Sequence, residues 1–272
     1  MIQRILNFYL KSSLHVGLSI AAFSWLSFLQ LKMAVDTFLL MYIFCASVVA
    51  YNFMKYAQHW IKDELFKLTF IKIITVISIT GVLLCVFKIK YEVVVLSALL
   101  ALLIYGYSYP VSKHIKKFRQ TPLIKWLVIT FIWATVSFIF PLLSVNASMA
   151  FDMILFEFVQ RMVWVLALII PFEIRDIEDD CQSGGSMIQR IGVMRAKIVS
   201  IILLILFFSL RNLIYTQISV VNLLIYISLI IMLLFTQKNQ GRYYSSLMVE
   251  SLPMLWLIFA LCYKTAIKIL SH

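Results

Sequence analysis

Nine long apolar runs constrain the fold of this chain more than any other feature of its sequence. A helix that spans a bilayer needs about 20 mostly apolar residues, and such runs recur at residues 14–31, 35–57, 68–87, 93–109, 123–143, 153–171, 196–210, 218–235 and 244–267. The sequence lacks the short alternating segments that would indicate membrane β-strands. We therefore predict an all-α polytopic membrane bundle of about nine transmembrane helices, folded as one domain over residues 1–272.

The balance of apolar and charged residues excludes an ordinary soluble domain. Hydrophobic residues make up 63% of the chain and charged residues 13%, whereas soluble domains carry about a quarter charged residues. In a soluble protein the net charge of +12 would suggest nucleic acid as a partner. In so apolar a chain we instead assign the basic residues to loops that face anionic membrane lipid, and we expect no nucleic-acid partner.

Basic residues concentrate in every second loop between the predicted segments. Loops rich in lysine and arginine tend to stay in the cytoplasm, which predicts a cytoplasmic N-terminus. We expect an integral membrane protein of the bacterial inner (cytoplasmic) membrane. The loops that follow the second, fourth, sixth and eighth segments carry Lys62, Lys67, Lys113, Lys116, Lys117, Arg119, Arg175, Arg190, Arg195, Lys238 and Arg242.

An acidic cluster, PFEIRDIEDD at residues 171–180, ends the sixth apolar run and holds five of the 12 acidic residues in the chain. Asp176 and Asp180 are four residues apart and Glu173 is three before Asp176, so on a helix they share one face. Carboxylates placed together repel unless a cation lies between them, and Mg²⁺ prefers oxygen ligands and substrate phosphates. The alternative interpretation is a solvated acidic cap at a helix end.

The residues of this cluster resemble a family motif. The stretch EIRDIEDDCQSGG is similar to the second aspartate-rich motif of the UbiA-type intramembrane prenyltransferases, (E/D)xRDxxxDxxxG, which lies at the cytoplasmic end of the sixth of nine helices. The resemblance implies an isoprenyl diphosphate substrate and bound Mg²⁺. Five positions match the motif: Glu173, Arg175, Asp176, Asp180 and Gly184.

A second stretch supports the same resemblance. The residues YGYSYPVSK, from Tyr105 onward, are similar to the YxYP-x-K stretch of this family. The resemblance implies that Tyr109 and Lys113, or Lys125 in the following segment, contact the diphosphate.

The end of the second apolar run departs from the family pattern. There the family carries NDxxDxxxD, whereas this chain has NFMKYAQHW at residues 52–60. Asn52 is kept, and the three aspartate positions hold Phe53, Tyr56 and Trp60. We hypothesise that Lys55, on one helical face with Asn52, His59 and Asp63, supplies positive charge in place of a second metal ion. Alternatively, Lys55 extends to the lipid interface.

The resemblance implies an enzyme that moves an isoprenyl group from its diphosphate to an aromatic, quinone-precursor or other membrane-soluble acceptor with the help of Mg²⁺. Neither the acceptor nor the isoprenoid length follows from the sequence. The expected catalytic residues are Asp176, Asp180 and Lys55; the metal ligands Asp176, Asp180 and Glu173; and the substrate-binding residues Asn52, Arg175, Tyr109, Lys113 and Lys125.

Two other functions stay open. The degenerate first motif is compatible with a catalytically inactive isoprenoid-binding protein of the same fold. A small transporter is the second alternative, with Glu157, Arg161 and Glu250 along its path. We expect Glu157 and Arg161, four residues apart, to pair across one helical turn, or to bind an acceptor head group.

Overall fold

The structure is a computed structural model that describes residues 2–61, 69–108, 121–178, 186–215, 219–241 and 243–270. Every regular element in these ranges is helical, and no strand is found among them. The α-helices are α1 Ile2–Lys11, α2 Leu14–Gln30, α3 Thr37–Ile61, α4 Thr69–Val86, α5 Tyr91–Ser108, α6 Pro122–Ala134, α7 Phe140–Ser144, α8 Phe151–Arg175, α9 Met187–Ile191, α10 Val193–Tyr215, α11 Val220–Phe235 and α12 Leu252–Leu270.

Two π-helical segments complete the fold. The first, Thr135–Ile139, joins α6 to α7, and the second, Tyr244–Val249, precedes α12. Each of the nine apolar runs coincides with helix in the described chain, which confirms the predicted all-α membrane fold.

The described chain contains seven helical runs that are long and apolar enough to span a membrane. The pair Gln3–Lys11 and Leu14–Gln30, bent by 63°, adds an eighth if it is counted as one span. Val220–Phe235 has 16 residues, so it extends only about 24 Å, less than the ~30 Å hydrocarbon core. The number of nine spanning helices therefore stays a prediction.

The helices form two compact units, and the predicted single domain stays a prediction. The first unit comprises Met1–Phe118 and Thr135–Ser148, and the second comprises Arg119–Ala134 and Met149–His272. In the first unit α3 packs between α2 and α4, and in the second α8 packs against α6, α10 and α11.

Hydrogen bonds within the first unit join the start of α5 to the end of α7. Lys90, just before α5, donates from its ammonium group to the Leu143 carbonyl oxygen at 2.9 Å and to Asn146 Oδ1 at 2.5 Å. This contact ties the α4–α5 turn to the end of α7. Asn146 has φ 49°, the left-handed conformation that asparagine tolerates better than most residues.

Gly17 allows α2 and α3 to approach closely. A Cβ atom at Gly17 would lie 2.8 Å from Val48 Cγ2 and 3.2 Å from the Phe44 carbonyl oxygen. Membrane helices lack a hydrophobic driving force between them, so van der Waals contact at small residues is a main source of their association.

We predict that Gly17→Val destabilises the first unit by about 1–3 kcal/mol, because the larger side chain must push α2 away from α3. Thermal unfolding of the protein in detergent measures the effect. Gly241→Val is the matched control, since a Cβ atom there meets nothing within 4 Å. Equal melting temperatures for the two variants would contradict the proposed contact.

Candidate functional site

The last two turns of α8 bring part of the predicted acidic cluster into the protein interior. Glu173 is only 3% exposed, and its Oε1 atom lies 2.5 Å from the ammonium group of Lys125 near the start of α6. The sequence assigned Glu173 to a metal and Lys125 to a diphosphate, whereas the structure pairs them with each other. Breaking such a buried ion pair costs about 3–5 kcal/mol, so the pair holds the ends of α6 and α8 together.

The second carboxylate oxygen of Glu173 is in a different situation. Oε2 is buried and has no hydrogen-bond partner among the described residues. Buried polar atoms in folded proteins nearly always have a partner, and an exception indicates a bound water, an ion or a functional role. Glu173 thus has one oxygen neutralised by Lys125 and one available to a ligand.

Arg175 and Asp176 form an ion pair at the point where α8 ends. The Arg175 side chain donates from Nε to Asp176 Oδ1 at 2.6 Å and from Nη2 to Asp176 Oδ2 at 2.8 Å. The Arg175 side chain is 22% exposed and the Asp176 side chain 39%, so the pair is half-buried, and its two parallel hydrogen bonds make it stronger than an ordinary surface ion pair. The exposed part of the Asp176 carboxylate is accessible to a second cation beside Arg175.

Two serines hold the other edge of the Arg175 guanidinium group. Nη1 donates to Ser245 Oγ at 2.7 Å and to Ser246 Oγ at 2.8 Å, and the group lies 5.4 Å from the centre of the Phe172 ring. Both serines lie in the second π-helical segment, a form of helix that occurs often at functional sites. Sequence reasoning missed them, because adjacent serines at the start of an apolar run match no motif.

Two glutamines fix the backbone around the end of α8. Gln240 donates from Nε2 to the Pro171 carbonyl oxygen at 2.6 Å, and Gln189 donates from Nε2 to the Ile177 carbonyl oxygen at 2.5 Å. Gln189 also completes a capping box with Ser186 at the start of α9. These contacts position the segment in which Glu173, Arg175 and Asp176 lie.

The described residues fit Mg²⁺ in their chemistry and supply part of a ligand set. Glu173 Oε2 and the exposed Asp176 carboxylate are the oxygen donors that Mg²⁺ prefers. In the part of the chain that the structure describes, no group of three His, Cys, Asp or Glu side chains is placed to hold a metal. Asp180 lies outside the described residues. The predicted Asp176–Asp180 spacing assumed a continuous helix, whereas α8 ends at Arg175 and Asp176 is its C-cap.

In the first unit, the residues of the degenerate motif make separate contacts. Asn52 is fully buried, donates to Thr75 Oγ1 at 2.9 Å, and leaves Oδ1 buried without a partner among the described residues. Lys55 is exposed and donates to Ser13 Oγ at 3.1 Å. Tyr109 and Lys113 lie outside the described residues.

A buried polar cluster joins α8, α10 and α11 in the second unit. Arg211 donates to Glu157 Oε1 at 2.5 Å and to Gln160 Oε1 at 2.8 Å, and the Tyr215 hydroxyl donates to Glu157 Oε1 at 2.7 Å. Gln160 donates in turn to the Tyr226 hydroxyl oxygen at 3.1 Å.

Arg161 belongs to the same cluster. It is 4% exposed and lies within electrostatic reach of its predicted partner Glu157. Glu157 is thus the acidic partner of both Arg211 and Arg161, whereas the sequence spacing indicated only Arg161. The hydrogen bonds within the cluster connect α8, α10 and α11.

We predict that Glu157→Gln lowers the free energy of unfolding by roughly 3 kcal/mol, because it leaves two arginines of the cluster without their carboxylate. Adding Arg211→Gln should restore part of the loss, since one of the two cations is removed. Chemical unfolding in detergent measures both effects. Asp152→Asn, an exposed acidic position in the first turn of α8, is the control. A double variant less stable than Glu157→Gln would contradict the charge argument.

No family model matches this sequence, and no curated protein matches it. Solved structures do match its fold. A UbiA homologue from Aeropyrum pernix K1 superposes with a TM-score of 0.63 at 13% identity, covering 92% of this chain and 98% of its own. A digeranylgeranylglyceryl phosphate synthase superposes with a TM-score of 0.54 at 15% identity, covering 95% of this chain and 97% of its own. The chain therefore has the polytopic helical membrane fold of the UbiA-type proteins.

Proposed function

We propose that this protein is a UbiA-like prenyltransferase that moves an isoprenyl group from its diphosphate to a membrane-soluble acceptor, either an aromatic compound, a quinone precursor or another lipid. A shared fold alone does not establish an activity. The observation that carries the proposal is the end of α8, where the buried Glu173 carboxylate has one oxygen without a partner among the described residues. Beside it along the chain lies the half-buried Arg175–Asp176 pair.

The reaction breaks the bond between the allylic carbon and the diphosphate oxygen, and the diphosphate leaves with the electron pair. A new bond forms between that carbon and the acceptor, which loses a proton. Positive groups placed where the negative charge develops lower the barrier. In this proposal Arg175, Lys125 and Lys113 are such groups. Asn52 and Tyr109, which the family resemblance also assigns to substrate binding, are neutral and contribute hydrogen bonds.

We further propose that Glu173, Asp176 and Asp180 hold Mg²⁺. When bound, the ion would supply Lewis-acid neutralisation of the diphosphate charge. Arg175, released from Asp176, is then available for a diphosphate oxygen. In the proposal Lys55, an exposed residue, supplies charge where the first motif is degenerate.

The alternation of basic loops supports a cytoplasmic N-terminus, and we propose the bacterial inner membrane as the location. The substrate-binding residues, the degenerate motif and the acidic cluster then all belong to cytoplasmic ends of helices. That arrangement suits a diphosphate that approaches from the cytoplasm and a tail that enters the membrane.

One observation favours a catalytically inactive isoprenoid-binding protein as the second candidate. Tyr56, at an aspartate position of the family motif, donates to the Lys11 carbonyl oxygen at 2.9 Å, and the neighbouring Lys55 binds Ser13. These residues thus have structural partners within the first unit. The transporter alternative gains no such support, because its predicted path residues Glu157 and Arg161 belong to the cluster that ties three helices together.

We predict that membranes containing the protein convert labelled isoprenyl diphosphates into a prenylated lipid, and that Asp176→Asn lowers the rate at least about 100-fold, because the mechanism relies on charge stabilisation. Chromatography of the extracted products measures the rate. Glu178→Gln, an exposed acidic neighbour, should leave the rate within about twofold of the wild type. A rate unaffected by Asp176→Asn would reject the assigned site.

Binding to the purified protein separates the two candidates. We predict that an isoprenyl diphosphate binds in the presence of Mg²⁺ and that removing the metal with a chelator, or Glu173→Gln, weakens binding about tenfold or more, because each removes a contact to a charged group. Calorimetry measures the affinity. Equal binding of the isoprenyl alcohol and its diphosphate, without a metal requirement, would instead support the inactive isoprenoid-binding protein.

A further inference from the structure

The first helix meets the second at a fixed bend. The axes of α1 and α2 differ by 63°, and the two residues between them, Ser12 and Ser13, are buried. Ser13 has φ 61°, a left-handed conformation that costs a residue other than glycine about 1 kcal/mol or more. Such a conformation persists only where the surrounding contacts hold it.

Two adjacent residues of α3 provide those contacts. Lys55 donates to Ser13 Oγ at 3.1 Å and makes a longer contact of 3.4 Å with the Leu10 carbonyl oxygen. Tyr56 donates to the Lys11 carbonyl oxygen at 2.9 Å. The carbonyl groups at the end of a helix lack partners within the helix and carry partial negative charge, so a lysine there is favourable. Lys55 and Tyr56 thus clamp the end of α1.

A contact between α1 and α2 adds to the clamp. His15 Nδ1 and the Tyr9 hydroxyl group form a hydrogen bond of 3.0 Å, and the two rings pack edge to face with centroids 5.1 Å apart. The contact between α1 and α2 and the contacts from α3 therefore fix the angle between the two helices.

The exposed part of α1 consists of two neighbouring strips. Arg4 and Lys11 are seven residues apart, so they lie on one face two turns apart, and both are exposed. Ile5 and Phe8 form the adjacent strip and are 60% and 41% exposed. The Phe8 ring continues this apolar strip to the exposed Phe70 ring near the start of α4, with centroids 6.3 Å apart.

We propose that α1 is an interfacial helix that binds anionic phospholipid head groups at the membrane face where α3 ends and α4 begins. A basic strip beside an apolar strip is the pattern of helices that lie in the head-group layer. Charge complementarity selects an anionic lipid as the occupant, because α1 contains Arg4 and Lys11 and no aspartate or glutamate. The bend directs α1 away from the axis of α2, which a helix in that layer requires where α2 enters the membrane.

Hydrogen exchange of the full-length protein in lipid nanodiscs tests this proposal, and it does not depend on prenyl transfer. The amides of residues 3–11 should exchange about tenfold more slowly in phosphatidylcholine with phosphatidylglycerol than in phosphatidylcholine alone, since each basic residue near an anionic surface adds to binding. Mass spectrometry of the N-terminal peptide measures the rate.

The double variant Arg4→Gln with Lys11→Gln should remove the difference between the two lipids. The matched control, Lys88→Gln with Lys238→Gln, removes the same charge from two other exposed positions. It should keep the difference in exchange rate between the two lipids. Lys55→Met with Tyr56→Phe should speed exchange at residues 9–13 in both lipids, because the clamp is lost.

Two results would overturn the proposal. Equal exchange rates in the two lipids would show that anionic head groups do not bind α1. Full protection in detergent without phospholipid would show that protein, either this chain or a second copy, covers the exposed strips instead.

Discussion

A bilayer interior offers no hydrogen-bond partner to a backbone amide or carbonyl group, and this constraint determines the architecture of the chain. The helices supply these bonds within each segment, and a side chain adds one near the end of α8, where Gln240 donates to the Pro171 carbonyl oxygen. The same rule applies to polar side chains. Glu157, Gln160 and Arg161 lie within a spanning helix, and the residues around them supply their hydrogen bonds and opposite charges.

The two ends of α8 use charge in different ways. Near its start, Glu157 belongs to a cluster whose members bind one another, which stabilises the contact of three helices. Near its end, Glu173 and Asp176 are each neutralised by one cationic residue, and Glu173 keeps an oxygen without a partner in the described chain. In the Glu157 cluster the polar groups already bind one another. At the end of α8, by contrast, a carboxylate oxygen is available to a ligand. This contrast is why the proposed chemistry belongs to the end of α8.

The sequence predicted the helical segments well because lipid imposes a simple requirement on them. All nine apolar runs are helical in the described chain, with ends displaced by a few residues. The bend between α1 and α2 could not be predicted, since it depends on Ser13 adopting a left-handed conformation held by residues about 40 positions away. For the candidate site, motif spacing indicated Glu173, Arg175 and Asp176, and their role stays a prediction. The Lys125–Glu173 pair and the serines that hold Arg175 arise from contacts between helices, which no local pattern records.

The pairing of Arg175 with Asp176 has a consequence for how the site changes state. A cation that takes over the Asp176 carboxylate leaves the charge of Arg175 uncompensated, so the local positive charge rises, and a low-dielectric surrounding makes that rise costly until an anion binds. The displaced guanidinium group stays attached to the same backbone, one residue away, and still has two serine hydroxyls to rest on. In the proposed site, a cation on the Asp176 carboxylate would therefore leave the Arg175 guanidinium group available to an incoming anion.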